Sequence, residues 1–435
     1  MSKGHFAASP VVAVLVSTLC WAGVWTYVSR IMIPHQKSDA ALHDRPRGNL
    51  SDLYPRWLGA RELLLHGRDP YSPAVTREIQ AGYYGRVLDP SRAGDPKDQQ
   101  GFAYPIYVAF GLAPTIRLPF DIVRSRFLWL LAWLTITSIA LWLRVLCWSP
   151  ALSMQITFAA LALGSIPVMQ GLKLQQLTLF VVGLLAIAMF LLSRDLPIAA
   201  GIVLACATIK PQLVWLLLLW LALWTLADLR HRYRWAASFL LTMALLCGAS
   251  EWYLPHWIPR FIQAAREYKS YTDGRTILDA LVGMPYSIAL ELLILVAVVW
   301  VCWRERRRTA DARPFVFTLS LTLAATLLLI PTYSAYNQVL LFPALLLLVR
   351  ERKTIWGSNG VVRVVFLLTA AFVVWPWVSA VILAGLSFFV SSGTIWRTWA
   401  VPFWTVPQTP VAVAALMLIN YYQRTFRGSA GPSSS

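Results

Sequence analysis

Charged residues are scarce in this chain. Asp, Glu, Lys and Arg make up 13% of the 435 residues, 58% are hydrophobic, and the mean hydropathy is +0.59. Soluble globular domains carry about 25% charged residues, whereas here apolar runs long enough to cross a bilayer recur along the whole sequence. Because lipid cannot hydrogen-bond the backbone, such runs form helices. The composition excludes a soluble protein and predicts an all-α polytopic membrane protein.

Cysteine is rare and follows no pattern. The five cysteines are scattered in or beside apolar segments, which excludes a disulfide framework and a cysteine metal site. P-loop, GxSxG and HExxH motifs are absent, and no internal repeat is visible. We therefore expect no metal, no cofactor and no nucleotide-dependent chemistry of the soluble type.

Acidic residues are outnumbered: 20 Asp and Glu stand against 38 Lys and Arg, a formal net charge of +18. The basic residues fall in short clusters between apolar runs, which is typical of cytoplasmic loops and not of a nucleic-acid interface. We therefore expect a lipid bilayer and no nucleic acid as partner. The clusters are Arg124 and Arg126; Arg230, Arg232 and Arg234; Arg304, Arg306, Arg307 and Arg308; Arg350, Arg352 and Lys353; and Arg424 and Arg427.

The charge pattern predicts a topology. The apolar run over residues 10–33 is interpreted as an uncleaved signal anchor whose N-terminus is cytoplasmic. A long extracytoplasmic loop with amphipathic helices follows over 34–101, a second such loop covers 255–284, and the C-terminus returns to the cytoplasm. Residues 1–427 would form one membrane domain and 428–435 a flexible tail.

The spans near the middle do not alternate cleanly. Residues 102–122 and 127–148 predict two spans with a cytoplasmic connection. Four further full crossings would then leave the cluster at Arg230 outside, against the charge rule. We therefore expect a re-entrant segment and one crossing over 151–192, and a hairpin over 196–227 whose KPQ tip points outward. Roughly eleven to thirteen transmembrane or re-entrant helices result.

The stretch SDLYPRWLGARELLLHGRDPY, residues 51–71, is the most polar part of the first loop. Apolar residues recur at helical spacing from Leu53, so the stretch predicts an amphipathic helix with Arg56 off its apolar stripe. Asp52 has two interpretations. A carboxylate is favourable at a helix N-terminus, so it could be a cap. Alternatively, a carboxylate just outside the membrane, in a basic and aromatic-rich loop, could act as a catalytic base.

Two polar interruptions stand inside apolar helices. GLKLQQLTL places Gln175 and Gln176 at a helix edge, and TIKPQLVW places Lys210 and Gln212 within a long apolar run. A charge there is costly and by default functional, although Lys210 could instead extend to the membrane interface. Because Pro211 breaks the helix, a polar pocket is favoured, and a lysine in it suits a phosphate head group.

Two further segments combine aromatic and polar side chains. In YSAYNQ, Tyr333, Tyr336 and Asn337 could hydrogen-bond a sugar, or the tyrosines could belong to an interfacial aromatic belt. In the second loop, tyrosines alternate with basic residues. This pattern is typical of a binding site for an anionic lipid-linked donor and equally of a solvated loop. Its basic residues are Arg260, Arg266, Lys269 and Arg275.

Taken in order, the segments SDLYPRWLGARELLLHGRDPYS, FAYPIYVAFGLAP, GLKLQQLTL, GIVLACATIKPQLVWLLLLWLAL and YSAYNQVLLFPALLLL resemble glycosyltransferase family 87, membrane enzymes of the GT-C fold. Its studied members are polyprenyl-phosphate-mannose-dependent α-(1→2) mannosyltransferases. The resemblance implies a polyprenyl-phosphate donor of mannose or another hexose or pentose. It also implies an extracytoplasmic active site, inverting transfer, and a glycolipid, polysaccharide or protein acceptor.

The resemblance also implies roles for individual residues. Asp52 aligns with the general base, and Lys210 and Gln212 lie in the family's KPQ-like segment. The family's mannosyltransferases carry a His pair where this chain has Tyr336 and Asn337, which leaves the sugar and the acceptor open. The expected donor phosphate-binding residues are Lys210, Arg260, Arg266, Lys269 and Arg275. The expected sugar- or acceptor-binding residues are Gln175, Gln176, Gln212, Tyr333, Tyr336 and Asn337.

A second class of function is a transporter, flippase or polymerase for lipid-linked glycans. Such proteins often have inverted repeats and charges deep in several spans, and neither is evident here. A purely structural membrane scaffold would not need Lys210 at a helix break. The transferase is therefore the leading hypothesis, placed in the inner (plasma) membrane with its site on the outer side.

Overall fold

The computed structural model describes residues 9–43, 51–272, 274–331 and 333–427, and within these ranges it is helical with no β-strand. The predicted tail, 428–435, lies outside the described residues. The helices are α1 (Pro10–Leu42), α2 (Tyr54–His66), α3 (Pro73–Tyr84), α4 (Val108–Leu112), α5 (Phe120–Val145), α6 (Leu152–Leu163), α7 (Ile166–Leu174), α8 (Leu177–Ser193), α9 (Pro197–Ala207), α10 (Pro211–Leu226), α11 (Leu229–Tyr253), α12 (Trp257–Tyr271), α13 (Ile277–Val282), α14 (Tyr286–Glu305), α15 (Arg313–Leu329), α16 (Ala335–Arg350), α17 (Arg352–Trp356), α18 (Gly360–Leu386), α19 (Ser392–Trp396) and α20 (Gln408–Arg427).

The helices form a membrane-spanning bundle. In the described part of the chain, six helical segments are long and apolar enough to cross a membrane alone, one bent pair adds a broken crossing, and five shorter apolar helices complete the set. The predicted all-α polytopic fold is confirmed. Three long helices, α11, α14 and α18, have only 17–22% of their apolar windows buried inside the protein, as expected for helices that face lipid.

The helix ends define two ends of the bundle, which we call the basic end and the site end. At the basic end, the Arg232 guanidinium donates to the carbonyls of Arg306 at 2.8 Å and Arg308 at 3.0 Å. Arg313 forms an ion pair with Glu351 at 2.6 Å. Because a guanidinium carries five N–H donors, Arg232 satisfies carbonyls that the helix end leaves unpaired. The site end holds Asp52 and the helix breaks described below.

The expected span over residues 102–122 is wrong. Before α5 begins at Phe120, these residues contain the short helix α4 and one 3₁₀ turn, Ala113–Thr115. Pro105 and Pro114 interrupt the run, since a proline lacks the N–H that a continuing helix needs. The segment is apolar because it packs inside the protein: Phe102 and Ile106 are almost fully buried.

The next helix, α5, begins at the site end. The ring of Phe120, its first residue, lies 4.9 Å from the ring of Tyr54 in α2. Arg124 and Arg126 follow within one to two turns, so they lie at the site end and not in the predicted cytoplasmic loop. The α5 helix ends at the basic end, where Arg350 donates to the Leu146 carbonyl.

Because residues 102–122 do not cross the membrane, the crossings over residues 151–227 agree with the charge rule without a re-entrant segment, so the predicted re-entrant segment is wrong. The bent pair α6 and α7, with a 58° break, returns from the basic end to the site end, where the Leu174 carbonyl accepts a hydrogen bond from Asp52 at 2.8 Å. Helices α8, α9 and α10 follow as three passes. The predicted hairpin is present as α9 and α10, with its KPQ tip at the site end, and the cluster at Arg230 falls at the basic end as the charge rule requires.

Gly201 allows the close packing of α9 on α11. A Cβ at this position would overlap the Ser238 hydroxyl and the backbone carbonyl of Trp235, and a carbonyl cannot swing away as a side-chain tip can. Small residues at such crossings stabilise helix pairs in membranes. We expect Gly201→Ala to lower the free energy of unfolding by about 1–3 kcal/mol, measured by denaturant titration in detergent. Gly248→Ala is the control, because its Cβ on α11 meets nothing within 4 Å; equal losses in both variants would contradict the prediction.

Candidate active site at the broken helices

Asp52 does not cap α2, so the capping interpretation is wrong. Leu53 is the N-cap, with no side-chain capping hydrogen bond, and Pro55 occupies the first turn. The Asp52 backbone N–H donates to the Leu174 carbonyl at 2.8 Å. The Asp52 carboxylate accepts a hydrogen bond from the side-chain amide of Gln176. The start of α2 therefore packs on the end of α7. The Asp52 carboxylate is held there by Gln176, which follows α7.

Three interruptions in apolar helices meet beside Asp52. Gln176 lies between α7 and α8, where Gln175 adopts a left-handed φ of 48°. Lys210 lies between α9 and α10, and α16 starts nearby with a 3₁₀ segment from Ala335 to Leu341. Broken helices are tolerated at membrane depth where they line a cavity, because their freed backbone groups need partners.

Lys210 is the cation at the centre of these breaks. It is 5% exposed, so it does not extend to the interface. Its Nζ donates to the Gln176 Oε1 and the Thr178 hydroxyl, both at 2.8 Å, and the Thr178 hydroxyl donates to Asn337 Oδ1 at 3.0 Å. Because Gln176 also donates to Asp52, a continuous hydrogen-bond chain joins the carboxylate to the ammonium through one amide.

These side chains line a cavity of about 560 Å³. The α12 helix closes its other side with Phe261, Ala265 and Tyr268, which follow one another at helical spacing. The cavity therefore offers cations, carboxylates, amides and aromatic rings to one ligand. The predicted site residues that the structure brings together on its wall are Asp52, Gln176, Lys210, Gln212, Lys269, Tyr336 and Asn337.

Other predicted residues lie away from the described cavity wall. Arg260 forms an ion pair with Asp69 at 2.6 Å, which fixes α12 to the first loop. The Gln175 amide donates to the Leu172 carbonyl at 2.6 Å, because the left-handed backbone turns the side chain back onto α7. The remaining cations stand on exposed parts of the second loop. The predicted residues outside the wall are Arg260, Arg266, Arg275, Gln175 and Tyr333.

Arg56 and Tyr104 are site residues that the sequence reasoning missed. Arg56 is 7% exposed and lines the cavity, where its Nη1 donates to the Asp52 carbonyl at 2.7 Å. The Tyr104 ring lies 4.4 Å from the Arg56 guanidinium and 5.8 Å from the Lys210 ammonium. An aromatic face near two cations stabilises both. The sequence signal for Tyr104 is the tyrosine in FAYP, but the hydropathy pattern places it in a transmembrane span.

Asp98 is a second carboxylate on the same cavity wall. Its two oxygens accept hydrogen bonds from Gln100, from the backbone N–H at 2.9 Å and from the side-chain amide at 2.7 Å. Burial raises the pKa of Asp98. The residue stands in an irregular loop without any periodic pattern, so the sequence offered no signal for it.

Comparison with known proteins identifies the family of this chain. A family model described as glycosyltransferase family 87 matches residues 102–331, more than half of the chain. The chain belongs to glycosyltransferase family 87. As a member of this family it is a multi-pass membrane glycosyltransferase. A search of curated proteins and of solved structures finds no similar chain.

The family 87 match covers part of the site. It includes Tyr104, Gln176 and Lys210, whereas Asp52 precedes it and Tyr336 follows it. The wall of the cavity is therefore built from the matched region together with the first loop and the start of α16. The first loop supplies the carboxylates, and the matched region supplies Lys210.

Proposed function

We propose that this family 87 protein transfers a sugar from a polyprenyl-phosphate donor to an acceptor hydroxyl with inversion, using Asp52 as the general base. The observation that carries the proposal is the hydrogen-bond chain from Asp52 through Gln176 to Lys210 on one cavity wall. It sets a carboxylate beside a buried ammonium. The chemistry needs both, because one group accepts a proton while the other holds a departing phosphate.

The transfer would proceed in one displacement. The acceptor oxygen forms a bond to the anomeric carbon while its proton passes to the Asp52 carboxylate. The bond between that carbon and the phosphate oxygen breaks, and its electron pair stays on the polyprenyl phosphate. Lys210 and Arg56 are the buried cations on the wall that would stabilise this charge. Attack and departure on opposite faces invert the anomeric centre.

An apolar cavity supports a lipid-linked donor. It has a volume of about 290 Å³ and is lined by apolar side chains of α5, α6, α7, α16 and α18. Asn337 and Gln338 are adjacent on α16, and the first lines the polar cavity while the second lines the apolar one. The two spaces therefore border the same turn of α16. An isoprenoid chain would pass from the bilayer into such a space without exposing its apolar surface to water.

The arginine distribution supports an extracytoplasmic site. The short loops at the basic end carry the clusters that begin at Arg230, Arg304 and Arg350. At the site end, the short connections α7–α8 and α15–α16 carry no charge in their described residues, although Arg124 and Arg126 of α5 also lie at this end. Short basic loops stay in the cytoplasm. We therefore place both chain termini inside, the protein in the inner (plasma) membrane, and the site outside, facing an extracytoplasmic glycolipid, polysaccharide or protein acceptor.

The test is donor consumption by the purified protein in proteoliposomes. Polyprenyl phosphates carrying labelled mannose, glucose or arabinose are offered with a panel of alkyl glycosides and serine peptides as acceptors. We expect one donor to be consumed, with one polyprenyl phosphate released for each sugar transferred, and no use of a nucleotide sugar. Intact donor that only crosses the bilayer would identify a transporter, and failure to consume any donor would overturn the transferase proposal.

A further inference from the structure

Asp98 and Gln100 form a clamped turn in the cavity wall that the displacement described above does not use. Both side chains line the cavity. Each Asp98 oxygen accepts one hydrogen bond from Gln100, at 2.9 and 2.7 Å. A carboxylate offers about four acceptor positions. The clamp therefore fixes the orientation of the carboxylate and leaves capacity for hydrogen bonds from a ligand.

The turn is held in a rarely populated backbone conformation. Gln100 has a φ of 53°, in the left-handed region that non-glycine residues seldom adopt. The α3 helix supports the turn from behind: the Tyr84 hydroxyl donates to the Asp98 carbonyl at 2.7 Å, and the Gln80 amide donates to the Gln99 carbonyl at 3.2 Å. Such conformations are energetically unfavourable and cluster at ligand sites, where the surrounding structure enforces them.

The Asp98 carboxylate is costly where it lies. Burial raises the pKa of Asp98, the hydrogen bonds from Gln100 and the charge of Arg56 oppose this effect, and the nearby Asp52 adds to it. In the described ranges no lysine or arginine forms a salt bridge with Asp98, in contrast to Asp95 in the same loop, which pairs with Arg86. A partly desolvated carboxylate without a cation partner becomes favourable when a ligand supplies hydrogen-bond donors.

Asp98 shares the cavity with Asp52 but not its hydrogen-bond chain. Asp52 is joined through Gln176 to Lys210, the proposed phosphate side of the reaction. Among the described contacts, the Asp98 carboxylate accepts hydrogen bonds only from Gln100, within its own loop. Neighbouring hydroxyl groups of a sugar ring match the two oxygens of one carboxylate, and O–H···O⁻ bonds are among the strongest in proteins.

We propose that Asp98 binds the acceptor: its carboxylate accepts hydrogen bonds from sugar hydroxyls adjacent to the hydroxyl that Asp52 deprotonates. The inference rests on the proposed transferase function. It assigns the acceptor to the glycans, as a glycolipid or polysaccharide with neighbouring free hydroxyls, because a protein side chain would present only one. Asp98 thereby becomes a specificity-determining residue and not a second base.

The experiment measures Asp98→Asn in proteoliposomes, with the donor that the wild type consumes and a series of octyl glycosides as acceptor probes. We expect the acceptor KM to rise about 10- to 100-fold, because hydrogen bonds to an ionised group are lost. Donor KM, and slow hydrolysis of donor without acceptor, should stay unchanged. Asp89→Asn is the matched control, since that carboxylate also binds its own loop, at Ser91, but lies outside the cavity wall.

The pH profile gives a readout that a structural role would not move. Lowering the pH through the pKa of Asp98 should raise the wild-type acceptor KM, because the carboxylate becomes protonated. Since this pKa is raised, the increase should occur at a higher pH than for an ordinary Asp. Asp98→Asn should show no such increase. Arg56 keeps its charge over this range. Four phenols in the described loops also interact with Asp98 electrostatically, and because burial raises their pKa they stay neutral: Tyr83, Tyr84, Tyr268 and Tyr271.

The possible failures are distinguishable. If the wild type transfers sugar to octyl glycosides and Asp98→Asn leaves the acceptor KM unchanged, the inference is wrong and the transferase function stands. Transfer by the wild type to serine peptides but to no glycoside would also overturn the inference. If the wild type consumes no polyprenyl-phosphate sugar, the function fails and the inference fails with it. A rise in acceptor KM together with lost donor hydrolysis in Asp98→Asn would indicate a collapsed loop. In that case Gln100→Ala, which keeps the Asp98 carboxylate but removes its clamp, decides the question. It must raise the acceptor KM without affecting donor hydrolysis, or the inference is rejected.

Discussion

Replacing Asp52 with Asn is expected to lower the rate of sugar transfer by about 10²- to 10⁴-fold, the usual contribution of a general base. Asn has the same shape, and its side-chain oxygen can still accept the hydrogen bond that Gln176 donates to the carboxylate. It cannot take a proton from the acceptor. The loss should therefore fall on kcat, with donor binding and thermal unfolding close to those of the wild type.

The matched control is Asp121→Asn. Asp121 is an exposed carboxylate in the first turn of α5, at the same end of the bundle, and it does not line the cavity. It should transfer sugar at the wild-type rate. Wild-type kcat in Asp52→Asn would remove Asp52 from the mechanism and leave Asp98 as the carboxylate in the cavity to examine next.

Replacing Lys210 with Met is expected to reduce kcat/KM for the donor by about 10²- to 10³-fold, comparable to the loss of one donor to a developing anion. Met has a similar length but supplies no charge and no N–H. The variant also leaves the Gln176 oxygen and the Thr178 hydroxyl without their lysine partner, which should lower the free energy of unfolding by about 1–3 kcal/mol. Initial rates at varied donor concentration and a parallel thermal melt separate the two effects.

Lys173→Met is the control for charge removal in the same region. Lys173 lies on α7 and donates to Gln36 of α1 at 2.6 Å, outside the cavity wall. The control should keep donor kcat/KM within a fewfold of the wild type. An equal loss in both variants would mean that general positive potential, and not the contact from Lys210, governs the donor.

The sequence predicted the class of fold because lipid imposes long apolar runs on every crossing. It failed at residues 102–122 because an apolar run buried under a loop has the same hydropathy as one that meets lipid. Phe102 packs so closely on α2 that a Cβ on Gly59 would overlap its ring. Counting residues 102–122 as a span placed the ends of the following helices on the opposite side of the membrane. The predicted re-entrant segment only restored the correct side.

For the site, the sequence located the residues whose chemistry conflicts with their surroundings. Lys210 and Gln176 interrupt apolar helices, so they stood out, and the structure places both beside Asp52. Arg56 and Asp98 stand among many polar residues of the first loop, where only long-range packing decides which ones face the cavity. The cations of the second loop illustrate the same difficulty, since Lys269 and Arg266 are both exposed but only Lys269 lines the cavity.

The single amide between Asp52 and Lys210 has a further consequence. Opposite charges at short range in a poorly solvated space attract strongly and tend to form a direct pair. By bonding to both, Gln176 holds the two charges apart, so the cavity keeps a permanent dipole between a negative and a positive pole. In the proposed displacement, negative charge leaves the carboxylate and arrives on the phosphate. The electric field of the resting protein runs from Lys210 to Asp52, so negative charge that moves towards the phosphate moves in its favoured direction, against the field, and little reorganisation is needed.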